Sequence, residues 1–191
     1  MITSSLGTEI LVNPYAPGTN GRKLPDSLTP DVLLVTHERR DANYDSVVEN
    51  YPATFRGSVG IGLNNSGGIR IRGTPTGSPG GSVNLVFSWN LDGMRICFPG
   101  DLAAPLSTTD LAQIGRVDVL FLPVSGRLGS EGREQLISQL QPRVIIPMGQ
   151  VSAVNDWAAR FGNAHRIGGS SVLLNQYALP AQPIALILSP Q

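Results

Sequence analysis

The chain predicts an α/β fold in which two mixed β-sheets pack together with helices outside. Three observations carry this expectation. The first half is dense in strand and hairpin signals, and the last third alternates apolar runs with helical patterns. Several of the runs are apolar throughout, as strands are when both of their faces are covered.

Thr8 to Val12 predicts a short strand ending at Asn13-Pro14, and Ala16 to Pro30 a surface connection rich in Pro, Gly and Asn. Asp31 to Val35 is a continuous apolar strand. Tyr44 to Asn50 predicts a short helix stopped near Pro52. Ile69-Arg70-Ile71-Arg72 alternates apolar and basic residues, as a half-exposed strand does. Val83 to Trp89 and Met94 to Phe98 flank Asn90-Leu91-Asp92-Gly93, in which Asp92-Gly93 is a strong hairpin signal. The glycines between Gly57 and Ser82 read as separate hairpin loops, since no helical pattern follows any of them as a phosphate cradle requires. Ser107 then caps a helix over Thr108 to Ile114, and Val117 to Leu122 is a strand ending in Pro123. A helix over Ser130 to Leu140, a buried strand at Val144-Ile145-Ile146, a helix over Ala153 to Phe161 and a strand at Ile184 to Ile187 complete a single domain over 1–191.

The composition is that of an ordinary globular domain, with 41% hydrophobic and 15% charged residues. Fourteen basic residues balance fourteen acidic ones, so no whole-molecule field draws the protein to nucleic acid or to an anionic membrane. The same balance does little against self-association, which leaves a homo-oligomer open. A lone Cys97 excludes an intramolecular disulfide and a cysteine-rich zinc module, and reads as a core side chain. Met1-Ile2-Thr3-Ser4-Ser5 lacks the basic start of a signal peptide, and no apolar run approaches the ~20 residues of a membrane span, so a soluble, cytoplasmic protein is expected.

Two polar segments follow buried strands: Thr36-His37-Glu38-Arg39-Arg40-Asp41-Ala42 and Pro99-Gly100-Asp101-Leu102. Strand carboxyl ends are where α/β proteins place their chemistry. Each residue also has a plainer reading. His37 fits a polar residue closing a strand, Asp41 a helix cap, and Asp101 after Gly100 a tight turn. His165 reads as a surface residue, Trp89 and Trp157 as packing. Ser125 has no histidine near it in sequence and no Gly-x-Ser-x-Gly elbow.

The order of segments resembles the metallo-β-lactamase superfamily, in particular its uncharacterised Zn-dependent hydrolase and L-ascorbate-6-phosphate lactonase-like branch. The matching segments are Gly7 to Tyr15, Asp31 to Asp41, Leu91 to Leu102, Val117 to Gly126 and Pro142 to Met148. The resemblance implies an αββα sandwich, shortened at the N-terminus so that one sheet edge needs covering. It also implies a dinuclear site held by histidines and aspartates. His37, Asp41 and Asp101 match that pattern, whereas Arg39, Ala42, Gly77, Gly149 and Ala104 stand where the family has histidines. Two ligands for each metal are too few for tight zinc, and a guanidinium at Arg39 brings a permanent charge to the place of a dication. Arg39 is therefore expected to pair with Asp101, Asp41 or both, in place of metal. This predicts a degenerate homologue with no metal cofactor, serving as a binding or structural protein. Its pocket would bear Arg39, Arg40 and Arg127 toward a small anionic molecule. The alternative is an active hydrolase holding zinc, or an oxygen-preferring Mg²⁺ or Mn²⁺, on His37, Asp41 and Asp101. A scaffold that dimerises through an exposed edge is the third.

Overall fold

The computed structural model describes residues 1–19, 24–77 and 83–189. A four-stranded sheet is built from β1 (Ile2–Thr3), β2 (Glu9–Val12), β3 (Val32–Leu34) and β4 (Ala53–Phe55) in that order. β1 runs antiparallel to β2, and β2, β3 and β4 are parallel. The second sheet opens with an antiparallel meander of β5 (Gly62–Ser66), β6 (Ile69–Gly77), β7 (Val83–Leu91) and β8 (Met94–Phe98). It continues in parallel through β9 (Val119–Pro123), β10 (Val144–Met148), β12 (Ile184–Ile187) and, at the edge, β11 (Ala164–Arg166). The helices are α1 (Thr108–Ile114), α2 (Gly129–Leu140) and α3 (Val151–Phe161).

The alternation of side chains along β7 shows why its middle, Leu85-Val86-Phe87, is apolar at successive positions. Leu85, Phe87 and Trp89 face the small sheet, where they pack with Ile10, Val32 and Leu34. Val86 faces the other way, into a core of Leu120, Leu122 and Ile145 that packs against Ile114, Leu136 and Trp157 of the three helices. Burying both faces demands apolar residues at successive positions. On the outer face of the small sheet, Leu11, Leu33 and Val35 are covered by Leu28 and Val48. The fourth layer of the expected sandwich is there reduced to a loop.

Helix α1 starts as its sequence predicts. Ser107 Oγ accepts from the Asp110 backbone N–H at 3.2 Å, and Asp110 accepts in return from the Ser107 backbone N–H at 3.0 Å. A Ser107→Ala substitution is expected to cost about 1 kcal/mol, measured by urea unfolding. The Asp92-Gly93 turn is also as expected, with φ of 49° and 76°.

Tyr44 to Asn50, by contrast, is only a 3₁₀ turn over Asp45–Val47. The chain then extends so that Val48 bridges Leu28, and the Glu49 N–H donates to the Leu28 carbonyl at 3.0 Å. Tertiary pairing outweighs a weak helical preference in this β-branched segment. Among the described residues, Gly67 and Gly68 form such a loop, between β5 and β6. Gly57 and Gly60 lie in a 3₁₀ turn that presses onto Gly73 within β6, a contact with no room for a side chain. Gly77 ends β6, and Gly80 and Gly81 lie outside the described residues. No helix of the described residues is long and apolar enough to cross a membrane.

Candidate functional site

The carboxyl ends of β3 and β8 meet at one rim of the sandwich, and uncharged groups hold them together. The Asn13 amide donates to Thr36 Oγ1 at 2.8 Å and accepts from the Thr36 backbone N–H at 2.9 Å. The Leu85 N–H, in β7, donates to the Thr36 carbonyl at 2.8 Å, tying the two sheets. Asn84, next along β7 and fully buried, accepts from the Asp101 N–H at 2.9 Å and donates to the Pro99 carbonyl at 2.9 Å. Gly100, at φ 66°, lies directly against Thr36.

This frame brings His37, Arg39, Asp41 and Asp101 into one cluster. His37 is buried and its Nδ1 lies 2.8 Å from Thr36 Oγ1. Arg39 Nη2 lies 3.0 Å from His37 Nε2 and donates to Asp101 Oδ2 at 2.6 Å. Arg39 Nε stands 3.5 Å from Asp41 Oδ1, which is itself 3.4 Å from His37 Nε2. One cation thus bridges the histidine and both aspartates.

The neighbours fix the protonation pattern. Burial, then the Arg39 charge, lowers the His37 pKa against the opposing pull of Asp41, so the ring is neutral at pH 7. A neutral ring that faces a guanidinium with Nε2 carries its proton on Nδ1, where Thr36 Oγ1 accepts it. Burial works to raise the Asp41 pKa, but its own backbone N–H, His37 and Arg39 outweigh it and hold the carboxyl below its ordinary value.

Sequence reasoning placed Arg127 in the pocket without its pairing to Asp101, and missed two contributors, Asn13 and Asn84. Arg127, on the loop after β9, donates from Nε to Asp101 Oδ2 at 3.1 Å, so two guanidiniums share one carboxylate oxygen. Asn13 and Asn84 supply the neutral frame. The available signals were an asparagine that tolerates the left-handed region, Asn13 having φ 49°, and an asparagine inside an otherwise apolar strand. Ala42 is fully buried, and its N–H donates to the Arg39 carbonyl at 2.9 Å, closing the turn that carries the arginine. Gly149 packs on Ser125, leaving no space for a side chain, whereas Gly77 and Ala104 are exposed.

The model of the β-lactamase superfamily domain matches residues 1–149, which include every segment of this rim. The chain belongs to the β-lactamase superfamily. Among solved structures it is similar to a protein from Thermotoga maritima assigned to the Zn-dependent hydrolases of the metallo-β-lactamase superfamily. The two are 25% identical with a TM-score of 0.75, covering 94% of this chain and 88% of that one. A mutant of the β-hydroxylase CmlA of Streptomyces venezuelae shares the fold, with 14% identity, a TM-score of 0.62, and 100% of this chain covered against 52% of that one. So does Igni18, a metallo hydrolase from Ignicoccus hospitalis, at 18% identity and a TM-score of 0.53, covering 79% of this chain and 81% of that one. No curated protein sequence matches the chain.

As a β-lactamase superfamily member, the chain belongs to a family of metallo-hydrolases, and its own donor set can be tested against zinc. Zinc needs three or four nitrogen, sulfur or oxygen donors at about 2.0–2.3 Å. The point between His37 Nε2 and Asp101 Oδ2, where such donors converge, is filled by Arg39 Nη2. Among the described residues no group of three or more His, Cys, Asp or Glu is arranged to hold a metal ion. The residues present therefore do not fit a metal pair in this arrangement.

Proposed function

We propose that this protein is a non-hydrolytic member of its family in which a guanidinium has taken the metal's place, and that it serves as a binding or structural protein. The observation that supports this reading is the position of Arg39 Nη2, bonded to Asp101 and 3.0 Å from the His37 nitrogen that a metal would need. A fixed cation lowers no water pKa and offers no open coordination position, so it cannot supply hydroxide at neutral pH. Asp101 is compensated twice, by Arg39 and by Arg127, which leaves a dication little net attraction.

Elemental analysis of protein purified without chelator, then soaked in zinc and dialysed, tests this directly. Less than about 0.1 equivalent of retained metal is expected. Esters, lactones and phosphodiesters should show no turnover above buffer.

One observation favours a second reading, a metal-dependent hydrolase using His37, Asp41 and Asp101. All three donors converge on Arg39, whose side chain is 38% exposed and so reaches the surface of the rim. Close to one equivalent of metal, together with turnover that a chelator abolishes, would establish that reading instead.

A further inference from the structure

At the opposite end of β8 from Asp101, the helix side of the large sheet carries a second concentration of charge. Burial alternates along β6: Ile69 and Ile71 enter the core between the sheets, while Arg70 and Arg72 point to the face that the helices cover elsewhere. Helix α1 ends beside β6, and its carboxyl end, with Ile114 and Gly115, forms one wall of this corner. The result is an open groove of about 550 Å³, lined by Arg70, Arg72, Arg95 and Arg116 together with Asn90 and Leu63.

The arginines are placed rather than scattered. Arg95 donates from Nε and Nη2 to the Ile114 carbonyl at 3.2 and 2.8 Å, and from Nη2 to Ser88 Oγ at 3.1 Å. Its guanidinium is thus held rigidly at the end of α1. Burial lowers the Arg95 pKa against an opposing pull from Cys97, and the nearby charge of Arg72 lowers it further, so two like charges are kept close together. Asp118, beside Arg95 and Arg116, is already engaged: it accepts from the Arg95 backbone N–H at 2.9 Å and stands 3.5 Å from Arg116. Among the described residues Arg70 and Arg72 have no carboxylate partner. Adjacent like charges beside a low-dielectric wall focus a positive field, and that field favours an anion.

We infer that this groove binds a small molecule bearing two or more phosphate groups. Guanidiniums match phosphate oxygens two at a time, and Arg70 and Arg72, without a carboxylate partner among the described residues, offer two such forks beside the fixed charge of Arg95. The volume falls in the range of small-ligand sites, about 300–1,000 Å³. A nucleic-acid duplex is the less suitable occupant, because it needs an extended basic track and this chain carries no net charge. The bound phosphates neutralise Arg70 and Arg72, and Leu63 offers an apolar contact to the rest of the molecule.

Calorimetric titration of the full chain with inorganic tripolyphosphate tests the inference. One site is expected, weakened at least tenfold by the pair Arg70→Gln and Arg72→Gln, with circular dichroism and unfolding midpoint preserved. Arg166→Gln should change the affinity less than about twofold, since that exposed residue lies on β11 at the opposite edge of the large sheet. Undiminished binding in the double variant, loss of binding in Arg166→Gln, no binding at all, or orthophosphate binding as tightly as tripolyphosphate would each overturn it. Tighter binding of a DNA duplex would assign the groove to nucleic acid instead.

Discussion

Gly100→Ala is expected to destabilise the protein by about 3 kcal/mol, more than any other single-methyl change at the rim. Two costs add. The residue holds φ 66°, where a side chain brings about 1–2 kcal/mol of strain. The new Cβ would also lie 2.7 Å from both Cβ and Oγ1 of Thr36 and would collide with Asn84 Oδ1. Neither neighbour yields easily, because Thr36 is pinned by Asn13 and by Leu85, and Asn84 by Asp101 and Pro99. Relief requires the β8 loop to lift away from β3, separating Asp101 from Arg39. Urea unfolding measures the loss; a change below about 1 kcal/mol would mean that the two loops are not rigidly docked.

Arg39→His should raise zinc affinity at least ~100-fold, about 2.7 kcal/mol of binding free energy. The substitution removes the cation that blocks the convergence point and adds an imidazole beside His37, Asp41 and Asp101, bringing the donor count to what zinc requires. Competition against a chromophoric chelator gives the affinity. Arg39→Met separates the two causes, since it removes the charge without supplying a ligand. That variant should bind zinc only weakly and lose about 1–2 kcal/mol of stability, because Asp101, 15% exposed, then relies on Arg127 alone. The loss is modest because the Arg39 side chain is 38% exposed and solvent already screens the pair. Equal zinc binding by both variants would show that the guanidinium was never the obstacle.

The strands buried on both faces were legible because continuous burial writes a continuous apolar run, as in β3, β7, β9 and β10. Edge strands leave no such trace. Ala164-His165-Arg166 has no strand pattern, and it becomes β11 only because β12 offers a partner. β5, over Gly62–Ser66, is likewise an exposed and largely polar edge. At the rim, the spacing of His37, Arg39, Asp41 and Asp101 was readable because each immediately follows a buried strand. The approach of Arg127 to Asp101 was not. It depends on where the loop after β9 folds across 26 residues of sequence, and nothing local in Ser125-Gly126-Arg127 encodes that path. The arginines of β6 showed only as alternation. Their meeting with Arg95 and Arg116 required knowing which strand lies beside which.

The amides of Asn13 and Asn84 and the hydroxyl of Thr36 set the course of both loops without using any ionic attraction. The contour of the rim is therefore independent of its cargo. An architecture that keeps its outline through uncharged tethers tolerates exchange of the group at its centre, one position at a time, without passing through an unfolded intermediate sequence.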